Sequence, residues 1–363
     1  METGIVGLAQ SGKTTVFNAV TRGKAQTGAH AEGGANVGVA KVPDPRLGTL
    51  CQIFQPRREV PAEVRYVDSA APAAGRARGE SRGEALGQLS KADALLCVVR
   101  AFPDESVPHP DGSVDAERDI ASVELELVLA DLAIVERRLE RIETSLKAAR
   151  PHEREAFGHE QALLWRLKEA LERESPLRGL ELNEEERRLA AGFQFLSAKP
   201  LLIVFNIGEE MLSQAGALEE EWRSRYRGPH RQAAVLCAKV EDELAQLEDA
   251  DAEEFRTAMG IEEAALERII VLSYELLGLV TFFTHVSDEV RAWSIPRGTP
   301  AVKAAGKIHS DMERGFIRAE VISFPDLERC GGIAEGRRQG LLHTEGKSYT
   351  VKDGDVITFL FNV

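Results

Sequence analysis

The chain of 363 residues is too long for one ordinary domain and long enough for two or three. Its 43% hydrophobic and 29% charged residues match a soluble globular protein, and a formal net charge of −14 excludes attraction to nucleic acid over the whole surface. The four cysteines, Cys51, Cys97, Cys237 and Cys330, form no C-x-x-C pair and read as reduced structural thiols of a cytoplasmic protein. No apolar run approaches the roughly 20 residues that cross a bilayer, and no signal peptide precedes the apolar "GIVG" at 4–7. No membrane association is expected.

In chain order, residues 4–8 predict a short buried strand and 13–21, "KTTVFNAVT", a helix. Further strands are predicted at 63–70, 93–102, 200–206 and 232–238. Continuous apolar strands separated by helical segments point to an α/β fold, a parallel sheet covered on both faces. Between Asp119 and Arg150, Leu125, Val128, Leu132, Val135, Leu139, Ile142 and Leu146 recur in steps of three and four, a heptad seam. After the interruption "RP" at 150–151, Phe157, Leu164, Leu167 and Leu171 form a second stripe, so an antiparallel helical coiled coil is expected. It serves either as an arm that meets a partner or as a brace. Beyond Leu277, "LVTFFTHV", "EVRAWSIP" and "FIRAEVISF" alternate like strands, 300–315 is helical, and "KDGDVITFLFNV" ends the chain with a turn and a strand. A small β-grasp domain fits this order. The expected domains are 1–118 with 200–277 for the sheet, 119–199 for the helical insertion and 278–363 for the β-grasp.

The chemistry is concentrated in Gly7–Thr14, "GLAQSGKT", which fits G-x-x-x-x-G-K-[ST] between a strand and a helix. Clustered N–H donors cradle a phosphate chain, and Gly7 and Gly12 let the backbone come close. Lys13 is expected on the β/γ-phosphates and Thr14 on Mg²⁺, with Gln10, Ser11 and Thr15 completing the nucleotide-binding loop. Asp68 ends the second strand, where a P-loop enzyme needs a carboxylate near Mg²⁺. Base choice falls to later loops. "NIGE", Asn206 to Glu209, stands where guanine readers carry N-K-x-D, with Ile207 for the lysine and Glu209 for the aspartate. Guanine discrimination is therefore weakened and adenine accepted. Cys237, Ala238 and Lys239 occupy the loop that elsewhere reads S-A-K against the base.

With "GIVGLAQSGKTTVFNAVT", "NVGVAKVPDPRL", "ELVLADLAIVERRLERI", "NIGEE", "EVRAWSIP", "RGFIRAE" and "KDGDVITFLFNV", nearly the whole chain resembles the YchF/Obg-like ATPase family, of the Obg group of P-loop translation-factor GTPases. The resemblance implies a G domain, a coiled-coil insertion and a C-terminal TGS domain of β-grasp type. It also implies hydrolysis of ATP, often also GTP, and association with ribosomes. It implies a catalytic histidine on the loop after the third strand, matched here by His109. Read from the residues alone, His109 is equally a solvated loop histidine.

The chain departs from the family in the switch loops. "EGGANVG" puts Glu32, Gly33 and Gly34 where the family reads T-I-E-P-N-V-G. "DSAAP" puts Ala71 and Pro72 where the family keeps D-x-A-G and then an apolar residue. Ala71 disfavours the positive φ that glycine permits, and Pro72 has no N–H. The expectation is a ribosome-associated, cytoplasmic ATP/GTP-binding NTPase with slow turnover, acting as a translation- or stress-linked switch. The alternative is a nucleotide-binding pseudo-enzyme or RNA-binding adaptor with little hydrolysis. A small-molecule kinase fits less well, because no acceptor pocket is evident. In the C-terminal part Arg291, Arg297, Lys303, Lys307, Arg314 and Arg318, interleaved with Trp293 and Phe316, suit RNA, while acidic residues there roughly balance them; the resemblance implies ribosomal RNA as that partner.

Overall fold

The computed structural model describes residues 1–23, 36–68, 86–147, 150–247, 249–259, 265–286 and 288–362. It divides into two compact units, Met1–Val39 with Arg65–Ile269, and Ala40–Val64 with Ile270–Val363.

The first unit is built on strands β1 (Glu2–Val6), β2 (Asn36–Lys41), β4 (Glu63–Asp68), β5 (Ala94–Arg100), β6 (Leu201–Asn206) and β7 (Arg231–Leu236), while β3 (Arg58–Val60) joins a second sheet. The spatial order is β2-β4-β1-β5-β6-β7, and the pairs β4–β1, β1–β5, β5–β6 and β6–β7 are parallel. The central strands "ALLCVVR" and "LLIVFN" are buried along their whole length, as a sheet covered on both faces requires. Parallel strands bring their carboxyl ends to one edge, where α/β folds place ligands. The carboxyl ends of β1, β4, β5, β6 and β7 therefore share that edge.

Helix α1 (Lys13–Thr21) follows β1, and α2 (Pro45–Phe54) belongs to the second unit. The helical insertion consists of α3 (Ala116–Leu146), α4 (Pro151–Glu172) and the short α5 (Glu184–Ala191). Helix α3 has 31 residues, about 46 Å at 1.5 Å per residue. It starts three residues before the expected Asp119, because the Asp115 side chain accepts the Arg118 N–H and caps it. Val128, Val135, Leu139 and Ile142 pack on Leu163, Leu164, Leu167 and Leu171 of α4. Leu125, read as the first seam residue, is only half-buried. Val123 and Leu127 face the core of the sheet instead.

Buried polar groups tie α3 to the segment that leads from α4 back into β6. Asp131 is fully buried in α3 and accepts from the Leu196 N–H (2.8 Å), the Ser197 N–H (2.7 Å) and the Ser197 hydroxyl (2.6 Å). Burial raises its pKa, and these three donors oppose the rise. Arg178 bonds Glu124 of α3 at 2.5 Å, and Lys199 donates to the carbonyls of Ser90 and Ala92. Beyond β6 follow α6 (Ala215–Tyr226), α7 (Ala238–Leu244), α8 (Asp249–Ala258) and α9 (Ala265–Leu276). Trp222 of α6 stacks on Phe205 of β6 with ring centres 4.0 Å apart.

In the second unit β8 (Leu279–Val286) and β9 (Glu289–Pro296) form an antiparallel hairpin; with β10 (Phe316–Ser323), β11 (His343–Glu345) and β12 (Asp355–Phe361) they give the order β11-β10-β12-β8-β9-β3. Strand β12 lies between β10, antiparallel, and β8, parallel, the mixed sheet of a β-grasp. Helix α10 (Ala301–Ile308) buries Ala301, Ala304 and Ala305, whose small side chains allow close approach to the core of this unit. The short helices α11 (Ser310–Arg314), α12 (Phe324–Cys330) and α13 (Ile333–Arg338) complete it. Residues 40–64, counted with the nucleotide domain in the sequence, group here instead. Strand β3 extends the sheet edge beside β9, Phe54 of α2 stacks on His285, and Arg46 pairs with Asp353 at 2.7 Å. Each of these ties joins residues too far apart in sequence for periodicity to reveal.

Replacing Asp131 by alanine leaves three buried donors without their acceptor. At roughly 1–3 kcal/mol per unsatisfied buried group, partly relieved by relaxation, Asp131→Ala is expected to lower stability by about 3 kcal/mol. Urea unfolding followed by tryptophan fluorescence checks this. A loss below about 1 kcal/mol would show that the junction does not depend on this carboxylate.

Candidate nucleotide-binding site

The loop between β1 and α1 is wound by backbone torsions that ordinary residues avoid. Gly7 has φ 145°, Gln10 φ 61° and Gly12 φ 97°. A Cβ on Gly7 would lie 2.3 Å from the Val98 carbonyl oxygen, and one on Gly12 2.4 Å from Asn206 Nδ2. Both glycines are therefore required twice over, by torsion and by space. Gly12 is the N-cap of α1 and supplies no side-chain acceptor, and no acidic residue stands in the first turn. The amide groups at the start of α1, in Lys13, Thr14 and Thr15, thus remain for an anion, with the positive end of the helix dipole behind them. Ser11 is buried, and its hydroxyl has no hydrogen-bond partner among the described residues.

Lys13 folds back into this loop. Its Nζ donates to the carbonyls of Gly7 (3.1 Å) and Leu8 (2.7 Å). Burial lowers its pKa, while the charge of Asp68 opposes that shift. Thr14 Oγ1 donates to Asp68 Oδ2 at 2.9 Å, bringing the end of β4 to the start of α1. Asp68 is buried, and burial raises its pKa against the Thr14 hydrogen bond and the Lys13 charge. A hydroxyl beside a buried carboxylate is an oxygen donor set that fits a hard divalent cation such as Mg²⁺.

Asn206, at the end of β6, is buried with both ends of its carboxamide engaged. Nδ2 donates to the Ser11 carbonyl at 3.0 Å, and Oδ1 accepts the Ala238 N–H at 3.0 Å. One side chain thus links the phosphate loop to the loop after β7. Ile207 is 1% exposed in the hydrophobic core and its N–H bonds the Leu236 carbonyl, so it has no access to a base. Glu209 opens a 3₁₀ turn and accepts from Lys239 Nζ at 2.6 Å, both side chains being exposed. That bond holds the Lys239 pKa above its ordinary value. Cys237 caps α7, and it and Ala238 are buried.

His109 stands apart from this group. Its ring bonds Asp119, Asp111 and Arg118, and among the described residues none of its hydrogen bonds reaches the phosphate loop. Glu32, Gly33, Gly34, Ala71 and Pro72 lie outside the described residues. The sequence reading passed over Arg100. Buried at the end of β5, it donates to the carbonyls of Phe102, Asp104 and Val107 and so shapes the loop leading to His109. Its signal is an arginine closing an otherwise apolar strand.

This geometry makes Gly12→Ala a sharp probe. The added methyl must displace Asn206, and nucleotide affinity is expected to fall at least about tenfold, roughly 1.4 kcal/mol, with the far-ultraviolet circular dichroism unchanged. Calorimetric titration with ATP measures it. Unaltered affinity would mean that the loop binds in another conformation.

Residues 279–362 match the family model YchF-GTPase_C, described as a protein of unknown function (DUF933). The chain is 40% identical to the ribosome-binding ATPase YchF of Bacillus subtilis (strain 168), with 99% of each chain covered. It is 39% identical to the protein of the same name from Escherichia coli O157:H7, again over 99% of each. Among solved structures it superposes on the Schizosaccharomyces pombe YchF GTPase with a TM-score of 0.85 at 29% identity, covering 99% of this chain and 97% of that one. Full-length similarity of this kind establishes that the chain belongs to the YchF family.

Proposed function

We propose that this protein is a ribosome-binding P-loop NTPase that accepts ATP and cleaves its terminal phosphate, leaving diphosphate and phosphate. The observation that carries the reading is the convergence at one sheet edge of the glycine-wound loop, Lys13 and the Thr14–Asp68 pair. The names of the Bacillus and Escherichia relatives support both ATP hydrolysis and the ribosome as partner. A ribosomal partner assigns the protein to the cytoplasm. No helix among the described residues is long and apolar enough to cross a membrane.

In this reading the loop amides from Gly7 to Thr15 surround the β-phosphate. Lys13 exchanges its two carbonyl partners for phosphate oxygens, a move that returns a buried ammonium to full charge compensation. Thr14 and Asp68 would hold Mg²⁺, which when bound would supply neutralisation of phosphate charge. Asn206 keeps the phosphate and base loops at a fixed separation. The base lies against Cys237, Ala238 and Lys239. Glu209 accepts from Lys239 through one oxygen, an exposed contact that competes with the two N–H groups of guanine, and adenine is not penalised. His109 positions the attacking water after leaving its present partners. Each unit offers its own surface to a partner: the helical insertion in the first, and the basic residues Arg291, Arg297, Lys303, Lys307, Arg314 and Arg318 in the second.

The alternative, a nucleotide-binding switch with little hydrolysis, is favoured by Glu32, Ala71 and Pro72 in the switch sequences. Single-turnover hydrolysis, with and without ribosomes, separates the two.

Lys13→Ala is expected to lower ATP affinity at least about tenfold, because hydrogen bonds to a charged group contribute roughly 1.5–3 kcal/mol. Thr14→Ala should retain metal-free nucleotide binding and lose its enhancement by Mg²⁺. Calorimetry in EDTA and in Mg²⁺ measures both, and unchanged ATP affinity in Lys13→Ala would remove the site assignment.

For base choice, Glu209→Asp combined with Lys239→Met frees a carboxylate at the guanine-reading position. The ATP/GTP affinity ratio should shift about tenfold towards GTP, the scale of one charge-assisted hydrogen-bonded pair. A ratio that stays within about twofold would show that the base is not read at Glu209.

A further inference from the structure

In the structure the imidazole of His109 has no nitrogen left for chemistry. Nδ1 accepts the Asp111 N–H at 3.2 Å, which makes Nε2 the protonated nitrogen, and Nε2 donates to Asp119 Oδ2 at 2.9 Å. The two side chains are 4% and 3% exposed. A histidine that orients or deprotonates water needs one free ring nitrogen facing that water. In this conformation His109 can do neither.

We propose that Asp119 is a positioning residue that parks His109 in an inactive conformation, and that hydrolysis requires this hydrogen bond to open. The proposal rests on the NTPase reading above, in which His109 is the water-positioning group.

Several features suit the pair to reversible release. Arg118 donates to Asp119 Oδ1 through Nε (3.1 Å) and Nη2 (2.8 Å), so Asp119 keeps a charged partner when His109 leaves. Departure of the histidine does not strand a buried carboxylate, the circumstance that makes breaking most buried pairs costly. Arg118 also bonds the Ser113 carbonyl (2.6 Å) and hydroxyl (3.0 Å), closing the loop from 109 to 119 on itself. His109, Asp111 and Asp119 could surround a cation, but the Arg118 guanidinium already supplies the positive charge there. The loop begins at the end of β5, whose neighbour β1 ends in the phosphate loop, so an opened loop starts from the correct edge of the sheet. Asp119 stands in the first turn of α3, and the same helix continues through the Asp131 junction into the insertion. A partner that tilts or shifts α3 therefore acts on the latch directly.

The test is single-turnover ATP hydrolysis by the full chain, wild type against Asp119→Ala, Asp119→Asn, His109→Ala and the double variant Asp119→Ala/His109→Ala. Asp119→Ala is expected to accelerate hydrolysis three- to tenfold at unchanged ATP affinity, and the gain should vanish in the double variant. Asp119→Asn retains an acceptor for His109 but loses the ion pair with Arg118, and should accelerate less. It also serves if the alanine variant does not fold. A spectroscopic readout accompanies the rates: the exchange-protected Nε2 proton of His109, seen by NMR in wild type and assigned by its absence in His109→Ala, should disappear in Asp119→Ala. Hydrolysis slowed by Asp119→Ala or Asp119→Asn, in a folded, ATP-binding protein, would overturn the latch, because Asp119 would then orient an active His109. Unchanged rates in both Asp119 variants, with His109→Ala slowed, would overturn it as well. A His109→Ala variant as fast as wild type would instead remove His109 from the reaction, a separate failure of the underlying reading.

Discussion

Much of the site depends on one buried carboxamide. Asn206 donates to the Ser11 carbonyl and accepts from the Ala238 N–H, each at 3.0 Å, and so fixes the distance between the glycine-wound loop after β1 and the loop after β7. Neither loop is regular secondary structure, and each owes its shape to a strand end and a helix start. Gly12 lacks a side chain partly because this carboxamide fills the space. Asparagine satisfies both roles at once because it carries a donor and an acceptor on one planar group. Aspartate would offer no donor to the Ser11 carbonyl. The "N" of the NIGE turn thus serves architecture as much as base recognition, and it stays at the site even though the two residues that read guanine elsewhere, a lysine and an aspartate, are Ile207 and Glu209 here.

What the sequence made legible follows from how local the signals are. The apolar runs of β5 and β6, the G-x-x-x-x-G-K-T loop, the seam of α3 against α4 and the closing strands of the β-grasp each lie in one continuous stretch, where periodicity and spacing have direct physical meaning. The Thr14–Asp68 pair was legible too, because a parallel sheet brings the carboxyl ends of its strands together. Long-range pairing was not legible. Nothing in residues 40–64 announces that β3 will align with β9, or that Arg46 will find Asp353 across most of the chain. The heptad reading carried Leu125 into the coiled-coil seam because a stripe continues smoothly past the point where a helix changes neighbours. Val123 and Leu127 face the sheet instead. His109 lies on the loop after β5, and its surroundings depend on Arg118 and Asp119, neighbours whose pairing no local spacing signals.

Helix α3 joins two regions with different physical demands. Its distal part packs apolar residues against α4 and needs only shape. Its first half carries Asp119, Glu124 and Asp131, three acidic groups bonded to His109, to Arg178 and to the backbone of Leu196 just ahead of β6. Buried carboxylates are costly unless hydrogen-bonded, and in return they are directional. Asp131 accepts two consecutive backbone amides and a hydroxyl, a geometry that resists rotation of the helix about its axis. Apolar packing alone would leave that rotation soft. The result is a long element held in one orientation at its base, which is what transmission between a partner and a nucleotide site requires.

The phosphate loop shows how binding and hydrolysis separate in this chain. The loop has positive torsions at Gly7, Gln10 and Gly12, and Lys13 satisfies its ammonium with the carbonyls of Gly7 and Leu8. Both ring nitrogens of His109, proposed above to position the attacking water, are occupied. On the proposed latch, hydrolysis waits on release of that ring. Helix α3 spans the two regions concerned: its first turn holds His109 through Asp119, and its far end packs on α4.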